Sequence, residues 1–305
     1  MRTGNDRNQN PGTKKVELNP MGEEDILMSD IIGQEHSKKE AIKFMKMIEN
    51  RELVNFYGLT IPNMAFFGPP GTGKTLMAQA MAHQCLDRLE DTLFISLNLQ
   101  SFATCFINET SNNFDNYMKN IEKEIESDSP FRNFVIFMDE YDSIGRQRGM
   151  DMHGEDDKLV NAINSYMDGE RRIENVSYIV ASNFEDMIDN AQKSRFGIHC
   201  KFGLFETPED KSELFRSHVK RIKRKNKNNL FYKIDYNSIG NKLKGKISGR
   251  EVRDILNRTM ENKLYDMIES SKTIEDDIKI TTKDFYNTIE MYLGERKEKR
   301  SIGFK

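Results

Sequence analysis

The chain has 305 residues, of which 37% are hydrophobic, and its 46 lysines and arginines nearly balance its 49 aspartates and glutamates. This length and composition are those of a globular protein of about two domains and exclude a fibrous or a small disulfide-stapled chain. The near balance of charges also excludes a global basic field that would attract nucleic acid. The three cysteines, Cys85, Cys105 and Cys200, have no regular spacing, so we expect a reducing, cytoplasmic setting.

The chain begins with a polar stretch, residues 1–20, that is rich in Asn, Gly, Lys and Asp. It lacks the apolar core of a secretory signal, and we expect a flexible tail. The longest apolar runs in the sequence are far shorter than the ~18 residues needed to cross a bilayer. We therefore expect no membrane partner.

From residue 21 to residue 205, short apolar runs alternate with helical patterns. This rhythm is typical of β-α units around a parallel sheet that is covered on both faces. The runs that predict strands are Met64–Phe67, Leu93–Leu97, Phe134–Met138, Ser177–Ala181 and Cys200–Leu204. Each is short and apolar, as a strand buried on both faces should be, so the pattern predicts an α/β domain.

Residues 206–293 lack strand patterns and carry signals for helix starts, which predicts a helical second domain. The signals are Thr207-Pro208-Glu209-Asp210, the capping box Ser248-Gly249-Arg250-Glu251, and the threonines at 281 and 282. Residues 294–305 are basic and rich in turn formers, so we expect a frayed tail there.

A glycine-rich loop lies between the first predicted strand and a helix. Its sequence, Gly68-Pro69-Pro70-Gly71-Thr72-Gly73-Lys74-Thr75, matches G-x-x-x-x-G-K-[ST] in the strand-loop-helix setting that this motif requires. Such glycines let backbone N–H groups and the positive helix end face the phosphates, and Lys74 adds a point charge. We expect Thr75 to hold Mg²⁺. The residues expected to contact ATP are Pro70, Gly71, Thr72, Gly73, Lys74, Thr75 and Leu76.

Two carboxylates, Asp139 and Glu140, directly follow the apolar run Phe134–Met138. Catalysis at such a loop requires a metal-organising acid at the end of a neighbouring strand. We expect Asp139 to orient Mg²⁺ and Glu140 to polarise the attacking water as general base. Acids at a strand end can also cap a helix or lie in solvent, but their place behind this loop favours the catalytic interpretation.

Together these motifs resemble the AAA+ ATPases, and within them the AAA subgroup of FtsH and the proteasomal ATPases. Further matching stretches follow in the expected order: Ser29-Asp30-Ile31-Ile32-Gly33-Gln34, Tyr57–Pro62, Tyr141–Gly149 and Asn161–Gly169. The resemblance covers residues 28–293. It implies a P-loop sheet of strand order 5-1-4-3-2, a helical lid, ATP and Mg²⁺ as cofactors, and contact of Ile32 and Gly33 with the adenine base.

The resemblance also implies roles for single residues. Asn183 matches the sensor asparagine that contacts the γ-phosphate or the lytic water. Arg195 matches the arginine finger that reaches the nucleotide of the next subunit, while Lys193 stands where several members carry a second arginine. A second sensor is implied near the start of a lid helix, where Arg250 and Arg253 are the candidates and Arg250 is our choice.

The segment Cys105-Phe106-Ile107-Asn108-Glu109 resembles the pore loop that grips extended polypeptide in ring translocases. Phe106 matches the gripping aromatic, and Ile107 lies beside it. A finger that acts between subunits implies a homo-oligomeric ring, a hexamer by resemblance. The sequence contains no H-E-x-x-H, so we expect no fused zinc protease. The expected function is an ATP-driven remodeller or unfoldase that acts on a protein substrate or adaptor.

Two alternatives remain open. A nucleic-acid motor or helicase loader is suggested by the basic run Lys220–Lys227, which could neutralise phosphates. The same cations also favour the end of a helix, and on that ground we do not expect a nucleic-acid partner. A nucleotide-dependent scaffold with little turnover is the other alternative, and the joint presence of Glu140, Asn183 and Arg195 argues against it.

Overall fold

The computed structural model describes residues 20–22, 26–99, 110–144, 154–225, 230–270 and 279–301. The described residues form one parallel sheet of five strands. The strands are β1 (Asn63–Phe67), β2 (Thr92–Leu97), β3 (Asn133–Met138), β4 (Val176–Ser182) and β5 (Phe196–Lys201). Their order is β2-β3-β4-β1-β5, which is the predicted 5-1-4-3-2 read from the other edge. The predicted α/β fold and strand order are confirmed.

The predicted position of the last strand is wrong. We expected Cys200–Leu204, whereas β5 runs from Phe196 to Lys201. In this strand, buried residues alternate with exposed ones, because β5 lies at the sheet edge and only one of its faces is covered. A search for a continuous apolar run finds strands that are buried on both faces and misses this alternation.

Helices cover both faces of the sheet. They are α1 (Glu35–Glu49), α2 (Arg51–Phe56), α3 (Lys74–Leu86), α4 (Thr110–Glu126), α5 (Gly154–Met167) and α6 (Asn190–Lys193). One apolar cluster lies between the sheet and α4 and α5, and another between the sheet and α1 and α3. Successive residues of β1 enter opposite clusters, with Ala65 and Phe67 in the first and Met64 and Phe66 in the second.

The helices that follow β5 enclose an apolar cluster of their own. They are α7 (Pro208–Lys225), α8 (Tyr236–Lys242), α9 (Gly249–Glu269) and α10 (Thr282–Ser301). The predicted helix starts are confirmed: the Thr207 hydroxyl accepts the Asp210 N–H at 3.1 Å, and Ser248 and Glu251 form the capping box. The division of the chain into two domains at residue 205 stays a prediction.

We expected the chain to fray from Gly294 onward because of its turn-forming residues. Instead, α10 continues to Ser301. A glycine inside a helix costs only about 1 kcal/mol relative to alanine, which neighbouring contacts can offset. Here Arg258 pairs with Glu295 at 2.9 Å, and Arg296 donates to the Lys246 carbonyl at 2.9 Å.

Several contacts join the helical region to the sheet region, and one of them involves the glycine-rich loop. The buried carboxylate of Asp30 pairs with Arg224 of α7, and the Ser217 hydroxyl donates to the Asp30 carbonyl at 3.0 Å. At the start of α9, the Arg250 N–H donates to the Gly71 carbonyl at 3.3 Å. Within the described ranges, we find no helix long and apolar enough to cross a membrane.

Candidate active site

The loop Gly68–Gly73 connects β1 to α3, and its backbone requires glycine. Gly68, Gly71 and Gly73 all have positive φ angles. A Cβ atom at Gly68 would lie 2.1 Å from the Phe202 carbonyl oxygen, and one at Gly71 would lie 2.7 Å from the Cβ of Arg250. The backbone of the loop therefore packs closely against the residue that follows β5 and against α9, which is the form that a phosphate cradle requires.

Lys74, the first residue of α3, folds back over this loop. Its ammonium donates to the Gly68 carbonyl at 2.6 Å, to the Pro69 carbonyl at 3.0 Å and to Asn183 Oδ1 at 2.8 Å. Burial lowers the pKa of Lys74 to about 8, while the negative charges of Asp139 and Asp142 act in the opposite direction. The structure thus brings the loop lysine and the predicted sensor asparagine into direct contact.

The predicted metal ligands also lie together. The Thr75 hydroxyl donates to Asp139 Oδ2 at 2.6 Å, although the two residues come from α3 and from the end of β3. Hydroxyl and carboxylate oxygens are the ligands that Mg²⁺ prefers in proteins. Asp139 Oδ1 accepts the N–H of Glu140 at 2.9 Å, which holds the carboxylate in place. These residues fit a bound Mg²⁺.

Glu140 leaves the line of β3 through an unusual backbone conformation. Its φ and ψ of 52° and 40° are left-handed, and a short 3₁₀ helix, Tyr141–Ser143, follows at once. Tyr141 is fully buried and anchors this turn. Non-glycine residues adopt this conformation at a cost of about 1–3 kcal/mol, and such residues cluster at active sites. Glu140 is exposed in this turn, so its carboxylate is accessible to water, as a general base requires.

Asn183 follows the last residue of β4 and is bound on two sides. Its side-chain oxygen accepts from Lys74, and its backbone N–H donates to Asp142 Oδ1 at 3.0 Å. Asp142 is a site residue that the sequence motifs did not predict. The available signal was an acid two positions after Glu140, inside a stretch that already resembled a known family.

Arg195 lies at the amino ends of the strands, whereas the glycine-rich loop lies at their carboxyl ends. It precedes β5, whose first residue pairs with Asn63 at the start of β1, and its side chain pairs with Asp168. The loop begins only after the last residue of β1, about 16 Å further along at ~3.3 Å per residue. Arg195 therefore does not reach the loop of its own chain. Lys193, the last residue of α6, also lies at the amino ends of the strands.

The remaining predicted site residues surround the loop or line its helix. Gly33 has a φ of 59°, and Ile32 packs against the apolar cluster of the helical region. The backbone of Arg250, rather than that of Arg253, contacts the loop. The Thr72 hydroxyl donates to the Pro69 carbonyl at 2.8 Å, and Leu76, in the first turn of α3, packs partly buried against the apolar cluster between α3 and the sheet. The predicted pore-loop residues, Phe106 and Ile107, lie outside the described part of the chain.

Replacing Gly71 with alanine is expected to lower the affinity for ATP about tenfold. The left-handed conformation costs an L residue about 1–2 kcal/mol, and the new methyl group would also press on Arg250. Equilibrium binding of a fluorescent ATP analogue measures this change. Gly203→Ala is the matched control because a Cβ there meets nothing within 4 Å. Equal affinities for the two variants would contradict the assigned role of the loop.

Comparisons with known proteins agree with this geometry. Residues 64–204 match the profile of the "ATPase family associated with various cellular activities (AAA)". The chain is 30% identical over 272 residues to a 26S proteasome regulatory subunit homolog of Methanocaldococcus jannaschii, an alignment that covers 88% of this chain and 65% of that protein. It is 28% identical over 249 residues to the ATP-dependent zinc metalloprotease FtsH 2 of Salinibacter ruber, covering 80% of this chain and 34% of the relative.

A third relative, the ATP-dependent zinc metalloprotease FtsH of Protochlamydia amoebophila, is 28% identical over 256 residues, which are 82% of this chain and 26% of that protein. The chain thus spans less than two thirds of the length of each of these three relatives. The matched region contains the whole sheet apart from the first residue of β1, and with it the loop, Asp139, Glu140 and Asn183. Over residues 64–204, this chain is therefore similar to the AAA ATPase family.

Proposed function

We propose that this chain is an ATP-driven protein remodeller that works as a homo-oligomeric ring, a hexamer by resemblance to its family. One observation carries the proposal. The glycine-rich loop, Glu140 and Asn183 lie together at the carboxyl ends of the strands, whereas Arg195 lies at their amino ends. A head-to-tail arrangement of identical copies brings Arg195 of one copy to the glycine-rich loop of the next. ATP is then hydrolysed between copies.

The chemistry follows from the positions of the side chains. Lys74 moves its ammonium from the carbonyl oxygens of the loop to the β- and γ-phosphate oxygens. Thr75 and Asp139 would hold Mg²⁺. Glu140 accepts a proton from the attacking water, whose oxygen bonds to the γ-phosphorus as the bond to the ADP oxygen breaks. Mg²⁺ held there would supply charge neutralisation of the phosphates. Asn183 orients the γ-phosphate, and Arg195 of the neighbouring copy stabilises the transition state.

The surface around α2 supports contact between copies. Four large apolar residues are exposed there, namely Leu53, Phe56, Tyr57 and Leu59, with Phe56 at 81% and Tyr57 at 69% exposure. The helix lies at the amino ends of the strands, as Arg195 does, because the Arg51 guanidinium donates a hydrogen bond to the Ser177 hydroxyl near the start of β4. Contiguous exposed apolar patches of this kind mark interaction sites.

The work on protein is supported by the relatives and by the sequence. The relatives include a proteasome regulatory subunit homolog and zinc metalloproteases, whose names concern protein turnover. We assign the grip on polypeptide to Phe106 and Ile107, and the motion that drives it to a lid formed by residues 206–293.

The basic run Lys220–Lys227 offers less positive charge for nucleic-acid phosphates than its sequence suggested, because Arg224 pairs with Asp30. The free thiols of Cys85 and Cys200 suit a cytoplasmic location.

A substrate trap tests this proposal. Tagged Glu140→Gln protein is incubated in a cell lysate with ATP and Mg²⁺, and the recovered material is analysed for both protein and nucleic acid. We expect defined proteins that are retained only with ATP and are lost when Phe106→Ala is added. Tyr265→Ala, which removes an exposed aromatic of α9, is the control. Nuclease-sensitive nucleic acid that is retained independently of Phe106 would overturn the proposal.

A further inference from the structure

The sensor asparagine is held from two sides, and only one of its partners has a place in the mechanism. Lys74 donates to its side-chain oxygen at 2.8 Å. On its other side, the backbone N–H of Asn183 donates to Asp142 Oδ1 at 3.0 Å. Both distances are those of well-formed hydrogen bonds, and a charged acceptor strengthens the second. The backbone of Asn183 is thus bound by a carboxylate from the turn that follows β3, the strand beside β4.

Asp142 is itself rigidly placed. It is the middle residue of the 3₁₀ helix Tyr141–Ser143, whose first turn closes through the Ser143 N–H and the Glu140 carbonyl at 2.8 Å. The fully buried ring of Tyr141 packs edge-on against Phe196 of β5 and fixes the turn to the core. The same turn begins at Glu140. One short segment therefore presents the proposed general base and, two residues later, the carboxylate that holds the sensor.

We propose that Asp142 is a positioning residue for ATP hydrolysis, which keeps the side chain of Asn183 directed at Lys74 and the γ-phosphate by holding its backbone. Asp142 also couples the general base to the sensor, because it lies two residues from Glu140 in the same turn and accepts the backbone N–H of Asn183. Its negative charge acts with that of Asp139 in favouring the ammonium form of Lys74. The inference rests on the proposed function, since it requires that Asn183 act on the γ-phosphate.

The test compares steady-state hydrolysis by four variants: Asp142→Ala, Asp142→Asn, Asn183→Ala and the double variant Asp142→Ala/Asn183→Ala. Small displacements of positioned groups cost up to about 10²-fold in rate, so we expect Asp142→Ala to lower kcat about 10- to 100-fold with little change in KM. Asp142→Asn has the same shape and keeps an acceptor oxygen, so it should recover most of the rate that Asp142→Ala loses. The double variant should be no slower than Asn183→Ala, because the effect of Asp142 passes through Asn183.

Asp128→Ala, which alters an exposed acid beyond α4, is the control and should hydrolyse ATP at the unaltered rate. A double variant whose losses multiply, or an Asp142→Ala protein that changes KM alone, would overturn the inference. Thermal unfolding of the isosteric Asp142→Asn protein checks that the fold is kept. If Asn183→Ala and Glu140→Gln also leave hydrolysis unchanged, the proposed function fails as well. If those two variants are impaired and only the Asp142 results disagree, this inference alone fails.

Discussion

Replacing Glu140 with glutamine is expected to lower the rate of ATP hydrolysis about 10²- to 10⁴-fold while ATP still binds. Glutamine has the shape of glutamate but cannot take a proton from water at neutral pH. The groups that we propose to hold the phosphates and the metal are Lys74, Thr75 and Asp139. The variant leaves the Lys74–Gly68 and Thr75–Asp139 contacts in place. Phosphate release in single-turnover experiments measures the rate, and equilibrium binding of a fluorescent ATP analogue measures affinity.

Two further variants make the Glu140 result specific. Lys74→Ala should lose binding and hydrolysis together, because it removes the charge that contacts the phosphates. Glu170→Gln makes the same chemical change at an exposed position after α5 and should behave as the unaltered protein. Unchanged hydrolysis by Glu140→Gln would exclude a general-base role, and lost ATP binding would show that Glu140 supports the structure of the site instead.

Replacing Arg195 with alanine is expected to lower hydrolysis about 10³- to 10⁵-fold, the range that arginine fingers supply. The affinity of one chain for ATP should change little, because Arg195 lies across the sheet from its own loop. In this structure the guanidinium pairs with Asp168, and the Arg195 carbonyl accepts from Asn63 Nδ2 at 3.5 Å. In its proposed role, the side chain would exchange Asp168 for phosphate oxygens of a neighbouring nucleotide.

Mixing two inactive proteins tests whether Arg195 acts between copies. Arg195→Ala protein retains an intact pocket, and Lys74→Ala protein retains an intact finger. Where the second lies next to the first in a ring, one complete site is formed, so mixtures should regain activity that neither protein has alone. Arg172→Ala, an exposed arginine after α5, is the matched control and should be active without a partner. Mixtures that exchange subunits yet stay inactive would rule out action between copies.

Features set by neighbours along the chain were predictable from the sequence. The glycine-rich loop, the acids at the end of β3 and the caps of α7 and α9 all depend on residues within a few positions of one another. The buried strands were also predictable, because burial on both faces requires a continuous apolar run. Less local features were not: β5 is an edge strand with one covered face, and α10 passes Gly294 because Arg258 and Arg296 bind across to other segments.

The sequence by itself determined the α/β class, the loop that folds over phosphates and the identity of its catalytic candidates, since residue type and local spacing decide these. Only the tertiary structure decided which groups meet. It joined Lys74 to Asn183 across 109 positions and Asp142 to Asn183 across 41, and it separated Arg195 from the loop by the length of a strand. The physical reason is that a parallel sheet gathers the ends of strands distant in sequence at one edge, and no local pattern records those pairings.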